Sequence, residues 1–368
     1  MKKHAWAVLY TIALTAFTTY ISLDTFVLAK SYNTNATDIN TAMFSGMEVS
    51  SGISDSIKQD NTDQDTTDGS EKIEHSRHKH PGGWSKDSGF PEKFKDRKAP
   101  DDSESTEDSN APSDNESANN SESTTTSEYT GETSYKDENV TIELTTYDEY
   151  DTKIYVADVT LTSAEYLKTA FAEDTYGKNV TDITSDIAEK NGAILAVNGD
   201  YYGARESGYV IRNGVVYRDS VNGSDVLCIY ANGSMEVVKD SEYTADELLE
   251  KEVWQAFSFG PALVEDSEIA VSTNTKVDRE MSSNPRTAIG VIDENHFVFV
   301  VSDGRTSESE GLSLYELATF MEKLGVETAY NLDGGGSSTM YFNGQVVNNP
   351  TTSGKIKERE VSDIVFIS

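Results

Sequence analysis

The sequence predicts an α+β fold: a mixed, largely antiparallel sheet with a few flanking helices, preceded by an N-terminal membrane segment and a disordered tether. Three observations lead there. Apolar residues recur with period two in short runs at 153–159, 193–197, 226–231, 235–238, 288–292, 296–301 and 340–342, as strands require. Asn-Gly pairs at 213–214, 232–233 and 343–344 sit between such runs, and this pair suits the two positive φ values of a tight hairpin turn. Helical periodicity is sparse, and no internal repeat is evident.

Residues 1–30 open with Met1-Lys2-Lys3 and carry no charge from Ala5 to Ile21. A basic start before about 17 apolar or small residues suits a signal peptide or a membrane anchor. With no small-x-small cleavage site seen before Lys30, an uncleaved signal-anchor is expected, with Lys2 and Lys3 inside and the remainder outside. Residues 31–139 hold 24 acidic and 10 basic side chains and hardly any aliphatic run. Such a stretch cannot bury enough apolar surface to offset the entropy of ordering it. It is therefore expected to be a disordered acidic tether, dispensable for activity, with its basic patch at 75–98 solvated.

Residues 140–368 form the folded domain in this reading and can build a core without disulfides. Thr244-Ala245-Asp246-Glu247 and Ser313-Leu314-Tyr315-Glu316 have capping-box form, each marking a helix start. After the second, Leu314, Leu317, Ala318, Met321 and Leu324 follow helical spacing, and Gly325 can end the helix. Ile183, Ile187 and Ala188 mark a weaker helix before the strand at 193–197. Asp293-Glu294-Asn295 turns a further hairpin.

Charge and cysteine usage exclude several functions. A net charge of −34 over 368 residues argues against a nucleic-acid partner, whose phosphates need a basic surface. One cysteine excludes an intramolecular disulfide, and five histidines, three of them at His75, His78 and His80, leave little for a His-rich metal site. No metal ligand set is assigned and no cofactor is required, with Ca²⁺ the hard cation that grouped carboxylates could hold. Cys228 reads as a buried strand residue. His296 lies in an apolar strand, and no nucleophile elbow accompanies it, which disfavours a Ser-His-Asp hydrolase.

Four loops each follow or precede an apolar strand and set polar groups beside glycine. They are Asn198-Gly199-Asp200-Tyr201, Asn284-Pro285-Arg286, Asp303-Gly304-Arg305, and Asn331-Leu332-Asp333-Gly334-Gly335-Gly336-Ser337-Ser338. Three consecutive glycines make sense where backbone dihedrals are unusual or a ligand approaches closely, and their N–H groups could cradle phosphate oxygens. The spacing is neither a P-loop nor a Rossmann fingerprint, so a tight turn and a ligand loop both stay open. Arg286 and Arg305 flank one hairpin and are two of only seven arginines in the folded zone; a guanidinium fork recognises phosphate bidentately. Asp200, Asp303 and Asp333 could act as acid and base or hold Ca²⁺. Tyr201 could stack on a sugar ring or pack at a rim.

Taken together, these four loops resemble the signature of the phosphodiester glycosidase family, in family order, across about residues 140–368; Ser258-Phe259-Gly260-Pro261 and Val346-Val347-Asn348-Asn349-Pro350 fit as well. The resemblance implies an enzyme that hydrolyses a sugar-1-phosphodiester of the α-N-acetylglucosamine-1-phosphate type. It places Arg286 and the backbone of Gly334, Gly335, Gly336, Ser337 and Ser338 on the phosphate, with Arg305 as a second clamp. Asp200 and Asp333 become the acid/base or nucleophile candidates, Asp303 a further catalytic carboxylate, and Asn198, Tyr201 and Asn331 substrate contacts. The expected substrate is a phosphosugar-containing glycopolymer or exopolysaccharide at a bacterial cell surface, with the membrane met through the N-terminal segment. A metal-dependent phosphodiesterase and a non-catalytic glycopolymer-binding module are the alternatives.

Overall fold

Alternation along strand His296–Ser302 shows how this sequence builds its core. Phe297, Phe299 and Val301 point into one hydrophobic cluster, while Val298 and Val300 point into another on the opposite face. A strand with apolar residues on both faces must be covered on both. In the computed structural model, which describes residues 5–45, 128–275 and 283–368, that strand lies central in a nine-stranded sheet. The sheet order is Glu268–Ile269, Ala262–Glu265, Thr328–Asn331, Arg286–Asp293, His296–Ser302, Thr152–Leu161, Val140–Glu149, Ser134–Lys136 and Glu128–Gly131.

Helix α4 (Leu314–Lys323) covers one face, burying Leu314, Leu317, Phe320 and Met321 against Ala288, Val298 and Val300. Each such side chain contributes roughly 1.5–3 kcal/mol by leaving water. Its capping box, Ser313 with Glu316, is formed as the sequence predicts. The other face meets two five-stranded sheets in a shared core. One sheet runs Gln345–Val346, Met340–Phe342, Leu195–Asn198, Asp363–Ile367, Leu167–Phe171 and contributes Val197, Met340 and Val365. The second runs Val215–Ser220, Gly208–Arg212, Val253–Phe257, Asp225–Tyr230, Met235–Lys239 and contributes Leu227 and Phe257. Short helix α2 (Thr184–Lys190) packs Ile187 and Ala188 on Ala196, Ile364 and Phe366, and α3 (Ala245–Glu250) carries the other capping box.

Strand pairings among the described residues are all antiparallel. The fold is thus α+β and mostly antiparallel, with four α-helices among the described residues, counting the N-terminal one. Asn213-Gly214 and Asn343-Gly344 turn hairpins with φ of 52° and 72°, and 47° and 85°, at the paired residues. Cys228 is buried in its strand, which pushes its thiol up to about 12.

The N-terminal region departs from expectation beyond its first element. Helix α1 (Ala5–Phe26) has 22 residues, about 33 Å at 1.5 Å per residue, and its stretch Trp6–Phe26 is long and apolar enough to cross a membrane, with none of it buried. The tether expected at 31–139 is ordered at both described ends. Strand Lys30–Thr34 pairs with Thr175–Lys178, and Phe44 packs edge-on against Trp254 at 4.9 Å. At the other end, Ser134–Lys136 pairs with Val140–Glu149, so the sheet begins before residue 140. Both ends pair through backbone hydrogen bonds, which a polar composition does not preclude. The basic patch at 75–98 and the remainder of 46–127 lie outside the described residues.

Candidate active site

The three sheets are stitched at one set of strand ends. Asn198, at the end of Leu195–Asn198, donates from Nδ2 to Asp333 O at 2.7 Å and accepts from Thr287 Oγ1 at 2.8 Å. Asp333 N–H donates to Gly199 O at 3.3 Å. Ser258 N–H, just beyond Val253–Phe257, donates to Asp200 Oδ2 at 3.2 Å. Asn198 also accepts from Thr339 N–H, so this buried amide fastens loops to one another. Asn331 does similar work, donating to Gly260 O at 2.8 Å.

The glycine loop lies directly over the start of strand Arg286–Asp293. Gly335 N–H donates to Pro285 O at 2.8 Å. A Cβ on Gly334 would come within 2.9 Å of that same oxygen, and one on Gly335 within 2.8 Å of Arg305 Nη2. Close backbone approach therefore demands Gly334, and a φ of 65° favours glycine at Gly335. Residues 335–337 close a 3₁₀ turn, with Ser337 N–H to Gly334 O and Ser338 N–H to Gly335 O. Those donors, expected to cradle phosphate, are engaged within the loop itself. Arg286 is buried beside the loop, its Nε donating to Leu312 O at 2.9 Å. Arg305 donates from Nε and Nη2 to Asn284 Oδ1. The hairpin thus brings Arg286 and Arg305 to one end, as its sequence implies.

Two arginine–carboxylate clusters organise the charges. In the first, Arg212 meets Asp363 Oδ2 at 2.8 Å and Asp200 Oδ2 at 3.2 Å, with side-chain exposures of 1%, 0% and 1%. Arg212 also stacks over the Phe257 ring at 4.1 Å and donates to Ala256 O. Burial pushes the Asp363 carboxyl up to about 7, with Asp200 adding to the rise and Arg212 opposing it. Gly199 must lack a Cβ because the Asp363 carboxylate occupies its place. In the second cluster, Arg359 Nη2 meets Asp333 Oδ2 at 2.8 Å, with side-chain exposures of 40% and 13%. Ser337 Oγ donates to the same Asp333 oxygen at 2.6 Å and accepts from Arg359 Nε at 2.8 Å. Burial raises the Asp333 carboxyl above the usual carboxylate range, against the pull of Arg359 and Ser337.

The remaining candidates divide. Asp200 sits below the loop surface, its oxygens taken by Tyr202 N–H, Ser258 N–H and Arg212. Asp303 is buried away from Asp200 and Asp333 in its bonding: it accepts from Asn349 N–H at 2.7 Å, Asn349 Nδ2 at 3.0 Å and Tyr155 OH at 3.2 Å. Its carboxylate holds the Asn348–Asn349 turn that in turn grips Ser338 O. Among the described residues no three His, Cys, Asp or Glu side chains group to hold a metal ion, so Asp200, Asp303 and Asp333, which the alternative reading would set on Ca²⁺, do not form such a group. Tyr201 is exposed. The hydroxyls of Ser338 and Thr339 are buried without a partner among the described residues.

Sequence reasoning missed Arg212, Asp363 and Arg359. Arg212 ends an apolar run just before Asn213-Gly214, and Asp363 opens the apolar C-terminal strand; a charge at the lip of a buried strand was the available signal. Arg359 hides in Lys355-Ile356-Lys357-Glu358-Arg359-Glu360, which looks like a solvated charge run.

Several known proteins resemble this chain. The family model described as phosphodiester glycosidase matches residues 191–368. An SPbeta prophage-derived uncharacterized protein, YomE of Bacillus subtilis, is 30% identical over 201 residues, covering 52% of this chain and 30% of that protein. Human N-acetylglucosamine-1-phosphodiester alpha-N-acetylglucosaminidase is 34% identical over 123 residues, 32% of this chain and 24% of that protein. The chain thus spans less than a third of the length of either relative. The zebrafish N-acetylglucosamine-1-phosphodiester alpha-N-acetylglucosaminidase catalytic domain, solved auto-inhibited by its pro-peptide, superposes with a TM-score of 0.50 at 21% identity. That likeness covers 62% of this chain and 82% of the zebrafish chain, and it speaks for the fold. Residues 191–368 of this chain thus match the phosphodiester glycosidase family.

Proposed function

We propose that this domain hydrolyses a sugar-1-phosphodiester, of the α-N-acetylglucosamine-1-phosphate type, in a cell-surface glycopolymer or exopolysaccharide. One observation carries the reading. Asp333, a carboxyl with raised proton affinity and some exposure, sits at the glycine loop between Arg359 and the strand that begins with Arg286. Water attacks the anomeric carbon, the bond from that carbon to the phosphate oxygen breaks, and a phosphate monoester leaves. Asp333 takes the proton from water or gives one to the departing oxygen. Arg286 and Arg359 flank the loop and offset the charge that grows on the phosphate. Asp200, held by Arg212, acts from below as a positioning group, and Tyr201 offers its ring to the sugar. Helix α1 would hold the domain at the outer face of a membrane.

The test is turnover of a chromogenic sugar-1-phosphate diester in ¹⁸O-water. Label in the sugar is expected. Label in the phosphate would mean phosphorus–oxygen cleavage and overturn the reading, and binding without turnover would leave a glycopolymer-binding module.

A further inference from the structure

We infer that residues 30–44, the stretch that follows the apolar helix, are a strap that positions the Asp200 loop. Its kinetic consequence rests on the hydrolase reading above; its structural consequence does not. The strap is bound along its length. Strand Lys30–Thr34 pairs with Thr175–Lys178, and Gly177 must be glycine because Lys30 O fills the space of a Cβ. Ala36 is buried and its N–H donates to Asp174 O at 2.6 Å. Asn40 N–H donates to Asn213 O at 2.9 Å, and Phe44 closes on Trp254.

Two routes lead from the strap to Asp200. In the first, Tyr32 lies against Tyr176 at 5.9 Å, Tyr176 stacks on Tyr202 at 5.3 Å, and Tyr202 N–H holds Asp200 Oδ1 at 3.0 Å. Ala36 belongs to the same cluster, with Tyr176 and Tyr202. In the second, the strap bonds to the Asn213-Gly214 turn, which directly follows Arg212, the guanidinium paired with Asp200 and Asp363. Side chains packed at both supports restrict the loop's rotamers and backbone, and a site held to within a fraction of an ångström depends on such support. One corollary concerns the apolar helix: α1 joins the domain through residues 30–44.

The full-length chain in detergent tests this, with Ala36→Asp and Phe44→Asp made to dislodge the strap and Ala36→Ser as the conservative control. Amide hydrogen exchange is read over 175–178 and 199–204, alongside kcat and KM on the sugar-1-phosphate diester. In the Asp variants, exchange at both stretches should speed at least about tenfold, and kcat should fall at least about tenfold with KM little changed. Ala36→Ser should match the parent. Opened 175–178 with unchanged protection at 199–204, or an opened loop with unchanged kcat, would overturn the strap as a positioning element. Full protection of 175–178 in both Asp variants would overturn the binding mode itself. A parent chain without turnover would sink the hydrolase reading and leave the exchange result to judge the strap.

Discussion

The domain holds two arginine–carboxylate clusters made of the same groups, and they differ in their access to water. Arg212, Asp200 and Asp363 are sealed beneath the Gly199 backbone; Arg359 and Asp333 meet at its rim. In the sealed cluster one guanidinium faces two carboxylates. Desolvation of three charges must be offset by close contacts, and the excess negative charge is relieved by raising the proton affinity of Asp363. At the rim the pairing is one to one and partly hydrated, so Asp333 is raised while Arg359 and Ser337 still oppose the shift. A carboxyl that a substrate can reach is suited to chemistry, and one that it cannot reach is suited to holding a loop.

The largest expected effect breaks the sealed cluster. Arg212→Met would leave Asp200 and Asp363 buried without their cation, and urea unfolding at pH 7 should show a loss of about 3–5 kcal/mol. The same change at the half-exposed Arg359 should cost no more than about 1 kcal/mol. Equal losses at the two arginines would abolish the distinction between them.

Next come Asp333 at the rim and the buried Arg286 beside the glycine loop, where rate more than stability should respond. Asp333→Asn keeps size and removes the charge; Arg286→Lys replaces a fork by a point charge. Turnover should fall by about 10²–10³ in each, with melting temperatures within about 4 °C of the parent. Near-normal turnover in a folded variant would remove that residue from the mechanism.

A smaller effect follows from pH. Burial, with Asp200 beside it, raises the Asp363 carboxyl in the folded chain above its unfolded value of about 3.9. The folded state therefore binds this proton more tightly. Its contribution to stability is complete below about pH 4 and declines as pH rises towards 7, by no more than about 1.4 kcal/mol per unit. Asp363→Asn should flatten that decline when denaturant midpoints of parent and variant are compared between pH 4 and 8. Parallel curves would show that Asp363 does not carry the proton.

Much of this architecture is legible in the sequence, because hairpins and caps are local. Asn213-Gly214, Asn343-Gly344 and the two capping boxes each determine geometry within four residues. The glycine loop is legible for the same reason, since three glycines announce a close backbone approach. What escaped depends on distant partners. Strand Val140–Glu149 is the exception: its hairpin partner Thr152–Leu161 is local, and it escaped because it turns mostly polar beyond Leu144. Strand Lys30–Thr34 has no apolar alternation and gains its place through the backbone of Thr175–Lys178. Arg212 and Asp363 are 151 positions apart, and only the folded sheets bring them together. The three loops that set an aspartate beside glycine looked equivalent; in the fold Asp200 and Asp303 are buried and Asp333 stays partly exposed.

The smallest expected effect sharpens the boundary of the site. Tyr201 follows the sealed Asp200 in sequence, yet 46% of it is exposed. Ring removal empties no core position, so Tyr201→Ala should stay within about 0.5 kcal/mol of the parent in stability. If the ring meets the sugar equally in the bound and transition states, its loss raises KM and leaves kcat alone. An increase in KM of about 3- to 10-fold, up to about 1.4 kcal/mol of binding, is expected, with Tyr201→Phe close to the parent because the ring face is retained. A fall in kcat instead would mean that Tyr201 helps to hold Asp200, and would move it from the rim to the sealed cluster's support.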